Sequence, residues 1–377
     1  MSLWPCSMTI PLSATIIKVD LPRGFSYIVY VKFTVLSPAK IVDEIRFARI
    51  FCCQTIQRMT SYDLIIIGAG PSGLACAIEA RKKGLSLLIL DKGSVVDAIR
   101  RFPLEMIFFS TSELLEIGGV PFTSAGFRPT RVECIRYYQM IARYFDLPVQ
   151  QGVEVVGIRH NEPGFEVISR DGSFLTKNVV DATGYFDHPN RFDVPGSDLT
   201  KVRRYYDEPY AYSGRDVAVV GGKNSSVETA LDLFRNGARV TLIHRGPNLS
   251  HGVKYWILPD IENRIKAGDV RAMFETRVQH IAPGTIVVEG KHQEEFANDA
   301  VFIMIGYCPD TSLLRQVGVN IDPDTLAPVH NPATMETNVK GLFVAGSIAA
   351  GRFNNKIFIE NGRAHGKLIV DAMEYSR

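Results

Sequence analysis

Residues 62–77 read YDLIIIGAGPSGLACA, and this stretch decides the fold. The apolar run 64–67 predicts a buried strand of a parallel sheet, and the residues after the loop predict a helix. Between strand and helix, Gly68, Gly70 and Gly73 form the pattern G-x-G-x-x-G. Glycines at these positions permit a tight turn and let the backbone approach a pyrophosphate. The stretch therefore predicts a dinucleotide-binding unit.

The residues that follow strengthen this prediction. A second apolar strand is expected at 85–90, and it ends at Asp91. An acidic side chain at the end of the second strand binds ribose hydroxyls in such folds, while the helix N-terminus holds the pyrophosphate. Strand, loop, helix, strand and acid in this order favour a bound dinucleotide over a βαβ unit without a ligand.

A second loop of this kind lies at 217–226, VAVVGGKNSS. It has the same frame, with strands expected at 216–220 and 238–243 and a helix at 227–237. Lys223 stands where the second glycine of the pattern is expected. After the second strand comes Arg245, where an NAD site has an acid. A guanidinium suits a 2′-phosphate, so we interpret the site as one for NADPH, the alternative being a solvated strand-end charge.

Two such loops in one chain predict two bound dinucleotides: a flavin, and a nicotinamide that delivers hydride to it. After the second loop, the stretches 299–305 and 341–347 again predict an apolar strand followed by glycine. The predicted fold is α/β with two Rossmann-like domains. The FAD domain is discontinuous, at 59–189 and 301–377, and the NADPH domain is inserted at 190–300.

Composition narrows the class of protein. The 377 residues carry a formal net charge of +2, which gives no electrostatic reason to expect nucleic acid or a membrane surface as partner. No apolar run approaches the length of a membrane-spanning helix. The six cysteines are scattered without a Cys-x-x-Cys pair, so neither a disulfide framework nor a metal site is expected, and a reducing cytoplasm is the expected compartment.

The first 58 residues differ from the remainder. They contain short β-prone runs, seven Lys or Arg and only three Asp or Glu. They lack the order of a secretory signal, and they fit a transit peptide only loosely. Because Met59 stands just before the first clear strand, we expect this segment to be an over-extended reading frame whose native start is Met59.

Five stretches make a family resemblance specific: FFSTSELLEIGGVPF (108–122), VVGGKNSSVETALDL (219–233), KYWILPD (254–260), FIMIGYCPD (302–310) and IFIENGRAHG (357–366). Together they resemble the bacillithiol-disulfide reductase family of thioredoxin-reductase-like flavoproteins, from about residue 61 to 373. The Lys of GGKNS belongs to that family's usual motif. The resemblance implies NADPH-dependent, FAD-mediated reduction of a low-molecular-weight thiol disulfide by a cytoplasmic homo-oligomer.

The resemblance also implies the cofactor-binding residues. Its flavin contacts fall at Gly68, Gly70, Pro71, Ser72, Gly73, Asp91, Lys92, Ala182, Thr183, Gly184, Gly346 and Ser347. Its nicotinamide contacts fall at Gly221, Gly222, Lys223, Asn224, Ser225 and Arg245.

The catalytic thiol departs from the family pattern. Thioredoxin reductases carry a Cys-x-x-Cys, and many bacillithiol-disulfide reductases carry Cys before the third glycine of the first loop, where this chain has Ser72. A hydroxyl cannot act as a redox thiol. Ser72 and His365 are the catalytic candidates, although His365 also fits an ordinary polar helix residue. Cys76 and Cys134 are expected in the core, and Cys308 is incidental.

Two other functions remain open at this point. A flavin monooxygenase is suggested by the junction at 182–196, ATGYFDHPNRFDVPG, but the signature F-x-G-x-x-x-H-x-x-x-[FY] is missing there. The second alternative is an electron carrier that binds FAD and NADPH without a thiol substrate. Trp256 is expected to pack or to cover the nicotinamide, and Asn361 to cap a helix over 361–373. Phe186 and His188 lie where a hinge is expected.

Overall fold

The computed structural model describes residues 14–21, 25–32, 61–353 and 356–375. The chain divides into two compact units, Met1–Met59 and Thr60–Arg377. In the first unit the strands Ala14–Leu21 and Phe25–Lys32 pair antiparallel. Met59, where a native start is expected, lies outside the described residues.

A seven-stranded first sheet carries the flavin-type loop. Its first strand, Ser61–Ile67, is a run of aliphatic residues buried from Leu64 onward, as expected for a strand covered on both faces. Across the sheet the strands follow the order Val149–Gln151, Leu87–Asp91, Ser61–Ile67, Ser173–Asp181, Gly164–Ser169 and Val155–Asn161, and Leu342–Val344 pairs with Ser173–Asp181. Gly164–Ser169 and Ser173–Asp181 pair antiparallel and form a hairpin with its turn at 170–172.

Helices cover this sheet. Pro71–Lys82 starts with proline at its first turn, where a missing N–H costs nothing. It packs against the C-terminal helix His365–Tyr375, and the approach is close because a Cβ on Gly366 would lie 2.8 Å from the backbone of Ala75. The longest helix, Arg131–Tyr144, begins with a capping box between Thr130 and Glu133.

The second sheet has five parallel strands and carries the nicotinamide-type loop. Its order is Val270–Met273, Arg239–Ile243, Asp216–Val220, Ala300–Ile303 and Val202–Arg203. A third, antiparallel sheet consists of Thr276–Ile281, Thr285–Gly290 and Glu294–Ala297. Both sheets lie in sequence between strands of the first sheet, which confirms the predicted insertion.

One expected boundary needs correction. The sequence predicts that the inserted domain ends at residue 300, but Ala300–Ile303 pairs in register with Asp216–Val220 and so belongs to the second sheet. The reason is physical: an all-apolar strand, buried throughout, needs partners on both edges, and it finds them in Asp216–Val220 and Val202–Arg203.

The remaining helices are short or connect sheets. They are Asp97–Arg100, Ser112–Leu115, Asn224–Arg235, Leu258–Ala267, Ser312–Gln316 and Ile359–Gly362, with 3₁₀ turns at Tyr210–Tyr212 and Gly346–Ala350. One apolar core surrounds the first sheet, and two smaller clusters pack on the faces of the second. In the described part of the chain, no helix has the length and apolar character to cross a membrane.

Candidate functional site

The first glycine loop has the geometry of a phosphate cradle. Gly68 has φ +108°, and a Cβ there would lie 2.5 Å from the carbonyl oxygen of Ala182. A Cβ on Gly73 would lie 2.0 Å from the oxygen of Gly68, so both positions require glycine. A Cβ on Gly70 would instead enter open space in front of the helix Pro71–Lys82. A bare backbone at a helix N-terminus fits a diphosphate.

Asp91 closes this loop at the neighbouring strand end. Its two carboxylate oxygens accept hydrogen bonds from the backbone N–H groups of Ala69 and Gly93, both at 2.7 Å. Burial raises the pKa of the carboxyl, and these two hydrogen bonds oppose that rise. The next residue, Lys92, forms an ion pair with Asp187 at 2.9 Å. Asp91 thus orders the loop and retains lone pairs for a ribose hydroxyl.

Asp181 is a candidate that the sequence analysis missed. It ends the strand before Ala182, is fully buried, and accepts from the N–H and hydroxyl of Thr183 through Oδ1. Its Oδ2 has no hydrogen-bond partner among the described residues. Burial raises the pKa of Asp181 to about 6. The available signal was an acid at the end of the apolar run VVD, at the edge where parallel strands place ligands.

Ser72, His365 and Gly346 come together at this edge. Nδ1 of His365 accepts a hydrogen bond from the backbone N–H of Gly346 at 3.1 Å, which leaves Nε2 to carry the ring proton. Burial, and then His330, lower the pKa of His365 to about 4. A Cβ on Gly346 or Gly362 would lie 2.6 or 2.9 Å from the hydroxyl oxygen of Ser72. The structure therefore packs both catalytic candidates around the Gly346 turn.

The second glycine loop keeps its turn despite Lys223. Gly221 has φ +147°, and a Cβ there would meet the oxygen of Met304 at 2.4 Å and the Cβ of Ser226 at 2.9 Å. The Ser226 hydroxyl accepts from the N–H of Lys223 and donates to its carbonyl. The small residue at position 226 thus takes the place of the third glycine. A Cβ on Gly222 would lie 2.4 Å from the ring of His244, so this ring leaves no room for a side chain at position 222.

Two cations flank this loop. The side chains of Lys223 and Arg245 are exposed, and neither has an ion pair within the described part of the chain. Burial, and then Arg245, lower the pKa of His244. The helix begins at Asn224 and not at residue 227 as expected, which places Asn224 and Ser225 in its first turn. Positive charge and free N–H groups thus converge at the carboxyl edge of the second sheet.

The cysteines behave as core residues. Cys76 and Cys134 are fully buried, and burial raises the pKa of each thiol to about 12. A thiol with so high a pKa supplies almost no thiolate at neutral pH. The expectation that both are structural is confirmed. Cys308 is half-buried and is a free thiol.

The crossover between the segments is a packed aromatic cluster. The ring of Phe186 lies 4.9 Å from Phe102, 5.3 Å from Tyr205 and 4.8 Å from Tyr307. The guanidinium of Arg101 lies over the Phe186 ring at 5.3 Å. Phe186, one of the two residues expected at a hinge, therefore joins the two segments by ring contacts.

Asn361 requires a correction. It is not the N-cap of a single helix, because the chain forms two helices here, Ile359–Gly362 and His365–Tyr375. Asn361 lies inside the first of them, and its Oδ1 accepts from the N–H of Phe358 at 2.8 Å. The amide side chain satisfies the exposed N-terminal donor from within the first turn.

Known proteins resemble this chain over most of its length. The family described as "Pyridine nucleotide-disulphide oxidoreductase" matches residues 65–346. The bacilliredoxin reductase Bdr of Bacillus subtilis (strain 168) is 43% identical over 305 residues, covering 80% of this chain and 94% of that protein. The chain belongs to the pyridine nucleotide-disulphide oxidoreductase family. It is an oxidoreductase whose cofactors are FAD and NADPH.

Solved structures give the same result. The bacillithiol disulfide reductase Bdr (YpdA) from Bacillus cereus superimposes with a TM-score of 0.82 at 41% identity, covering 84% of this chain and all of that one. The corresponding protein from Staphylococcus aureus gives a TM-score of 0.81 at 37% identity, with 84% and 99% covered. The thioredoxin reductase of T. acidophilum, at 21% identity and a TM-score of 0.66, shares the fold over 84% of this chain and 98% of that one. The predicted fold class and family are confirmed.

Proposed function

We propose that this protein uses NADPH to reduce a low-molecular-weight thiol disulfide, with bacillithiol disulfide as the substrate. The observation that supports this most is the similarity to bacillithiol disulfide reductases over 84% of the chain, together with an intact first glycine loop and a second loop that keeps its turn. The balanced reaction converts NADPH, one proton and one disulfide into NADP⁺ and two thiols.

The site residues form two groups, one at the carboxyl edge of each nucleotide-binding sheet. Flavin binding falls to the cradle of Gly68, Gly70 and Gly73, to Asp91, and to the turns at 182–184 and 346–347, all at the carboxyl edge of the first sheet. NADPH binding falls to residues 221–225 and Arg245 at the corresponding edge of the second sheet. FAD held by the first group would supply the hydride acceptor and the two-electron transfer to the disulfide.

Near the flavin segment, the chain's own residues position groups and donate hydrogen bonds. His365 is neutral at physiological pH, and its Nε2–H can donate a hydrogen bond to a leaving thiolate, whose proton then comes from water. Ser72 supplies a hydroxyl at the position where related proteins have cysteine, and it packs on Gly346 and Gly362. With Cys76 and Cys134 buried and protonated, reduction proceeds without a thiolate from either.

Anaerobic stopped-flow spectroscopy of the purified holoenzyme tests this function. NADPH should bleach the flavin, and bacillithiol disulfide should restore its colour faster than cystine or glutathione disulfide does. Failure of every disulfide to reoxidise the reduced enzyme would contradict the proposal. Rapid oxygen consumption coupled to NADPH would then favour a monooxygenase, and reoxidation by non-thiol acceptors alone an electron carrier.

The setting of the enzyme is also part of the proposal. Scattered free cysteines and the buried thiols at positions 76 and 134 favour a reducing cytoplasm. A homo-oligomer is the assembly we infer from the family resemblance, and light scattering of the holoenzyme measures it.

A further inference from the structure

A surface of cations and aromatic rings lies between the two nucleotide loops. We call it the cation–aromatic surface, and its members are Phe109, Arg128, Lys254, Trp256 and Phe358. An antiparallel bridge joins Ile107 to Thr130, and the N–H of Phe108 donates to the carbonyl oxygen of Pro129 at 2.9 Å, which brings the segments of Phe109 and Arg128 together. Phe109 also meets Phe358 edge-on, with ring centroids 5.1 Å apart.

Arg128 is the unsatisfied group on this surface. Its guanidinium lies over the ring of Trp256, 5.0 Å from the centroid. Its Nε is buried and has no hydrogen-bond partner, and the side chain forms no ion pair within the described residues. A buried donor of a charged group is costly to leave unpaired, and the described residues supply no acceptor for it, so the guanidinium keeps donors available for a ligand.

Lys254 differs from Arg128 although it is close to it. Its ammonium lies 5.4 Å from the ring of Phe109 and 5.6 Å from that of Trp256, and it pairs with Glu228 at 2.5 Å. Lys254 is thus neutralised by its own neighbour, and Arg128 is the cation left for a ligand. Trp256 is 42% exposed, and Tyr255 beside it is 79% exposed.

The surface is anchored to both nucleotide loops. On one side, the N–H of Lys254 donates to the Asn224 side chain at 2.8 Å, in the first turn after the second glycine loop. On the other side, Phe358 follows Ile357, which with Ser72 closes around Gly362. A small molecule on the cation–aromatic surface would therefore lie between the two cofactor segments.

We propose that Arg128 and Trp256 form the subsite that binds a carboxylate of the disulfide substrate. The planar guanidinium fork matches a carboxylate in bidentate geometry, and the indole face packs against the body of the same ligand. The subsite rests on the proposed function, since it selects a carboxylate-bearing disulfide over an uncharged one. NADPH has its own cations, Lys223 and Arg245, at the second sheet.

The test compares wild-type holoenzyme with Arg128→Met, Arg128→Lys and the control Arg143→Met, which removes an exposed arginine from the helix Arg131–Tyr144. Binding of bacillithiol disulfide to the oxidised enzyme is followed by tryptophan fluorescence, because Trp256 is one of two tryptophans in the chain. Turnover is measured with bacillithiol disulfide and with uncharged 2-hydroxyethyl disulfide.

In Arg128→Met, Kd and KM for bacillithiol disulfide should rise roughly tenfold to a hundredfold, as expected for the loss of a charged hydrogen bond. Arg128→Lys should lose less. The KM for NADPH, the rate of flavin reduction and the KM for 2-hydroxyethyl disulfide should not change, and Arg143→Met should match wild type.

Four results would overturn the subsite. They are unchanged affinity in Arg128→Met, equal weakening of both disulfides, a selective rise in the KM for NADPH, and no binding of bacillithiol disulfide to the wild type. If the wild type binds bacillithiol disulfide through Arg128 but does not reduce it, the proposed function fails and the subsite stands. The two failures are thus distinguishable.

Discussion

The hydrogen bond from Gly346 to His365 offers the sharpest perturbation. His365→Leu removes the acceptor and leaves the N–H of Gly346, a buried residue, without a partner. An unsatisfied buried donor costs about 1–3 kcal/mol. His365→Asn keeps an acceptor at nearly the position of Nδ1, so it should recover most of this loss. Urea unfolding of the three proteins at pH 7.5, with excess FAD, measures the difference.

The burial of the His365 imidazole, and then the nearby His330, make stability depend on pH. The pKa of His365 falls from 6.5 to about 4 on folding, so the unfolded chain takes up the proton first as the pH drops. The contribution is fully present above pH 6.5 and is lost as the pH falls through about 4. Its size is about 3 kcal/mol, because each pKa unit corresponds to about 1.4 kcal/mol.

Unfolding free energies measured between pH 4 and 7.5 should therefore fall more steeply in the wild type than in His365→Asn, whose side chain does not titrate. Parallel pH curves would refute a buried neutral imidazole, and equal destabilisation by Leu and Asn would refute the hydrogen bond. Because His365 stays neutral in this range, the turnover rates of wild type and His365→Asn should depend on pH in the same way near pH 6.5.

Three further predictions concern the nucleotide loops. Arg245→Ala should raise the KM for NADPH at least tenfold and leave that for NADH nearly unchanged, because a charge-assisted bond to the 2′-phosphate is lost; equal effects in steady-state kinetics would remove Arg245 from the phosphate site. Lys223→Gly should weaken NADPH binding most at low salt, which isothermal titration can measure. The turn itself should survive, because Ser226 bonds only the Lys223 backbone. An affinity that is unaltered at every salt concentration would show that the Lys223 side chain does not contribute to NADPH binding. Gly73→Ala should destabilise the fold and abolish flavin retention, with its Cβ 2.0 Å from Gly68 O, whereas Gly70→Ala should lose flavin and keep its melting temperature as apoprotein. Flavin absorbance and thermal melts compare the two, and matching behaviour would contradict the cradle.

The loops themselves were predictable from the sequence because their requirements are local. A tight turn between strand and helix needs glycine at Gly68 and Gly73, and Ser226 is small enough to replace the third glycine of the second loop. Apolar runs of the right length then give the strands on each side. Boundaries were less predictable, since the end of the inserted domain depends on which strand Ala300–Ile303 pairs with.

Tertiary structure alone decided how distant residues meet. Ser72 and Gly362 are far apart in the chain, and they touch because two helices pack closely on one sheet. The buried carboxyl of Asp181 and the unpaired guanidinium of Arg128 are likewise invisible in a linear pattern, since burial and missing partners are properties of the packed chain. A flavoprotein with two nucleotide sites was thus predictable from the linear pattern, because the turns of both loops depend on short-range geometry. The tertiary structure decided which side chains share the site, because only the packing of separate segments fixes their distances and their access to water.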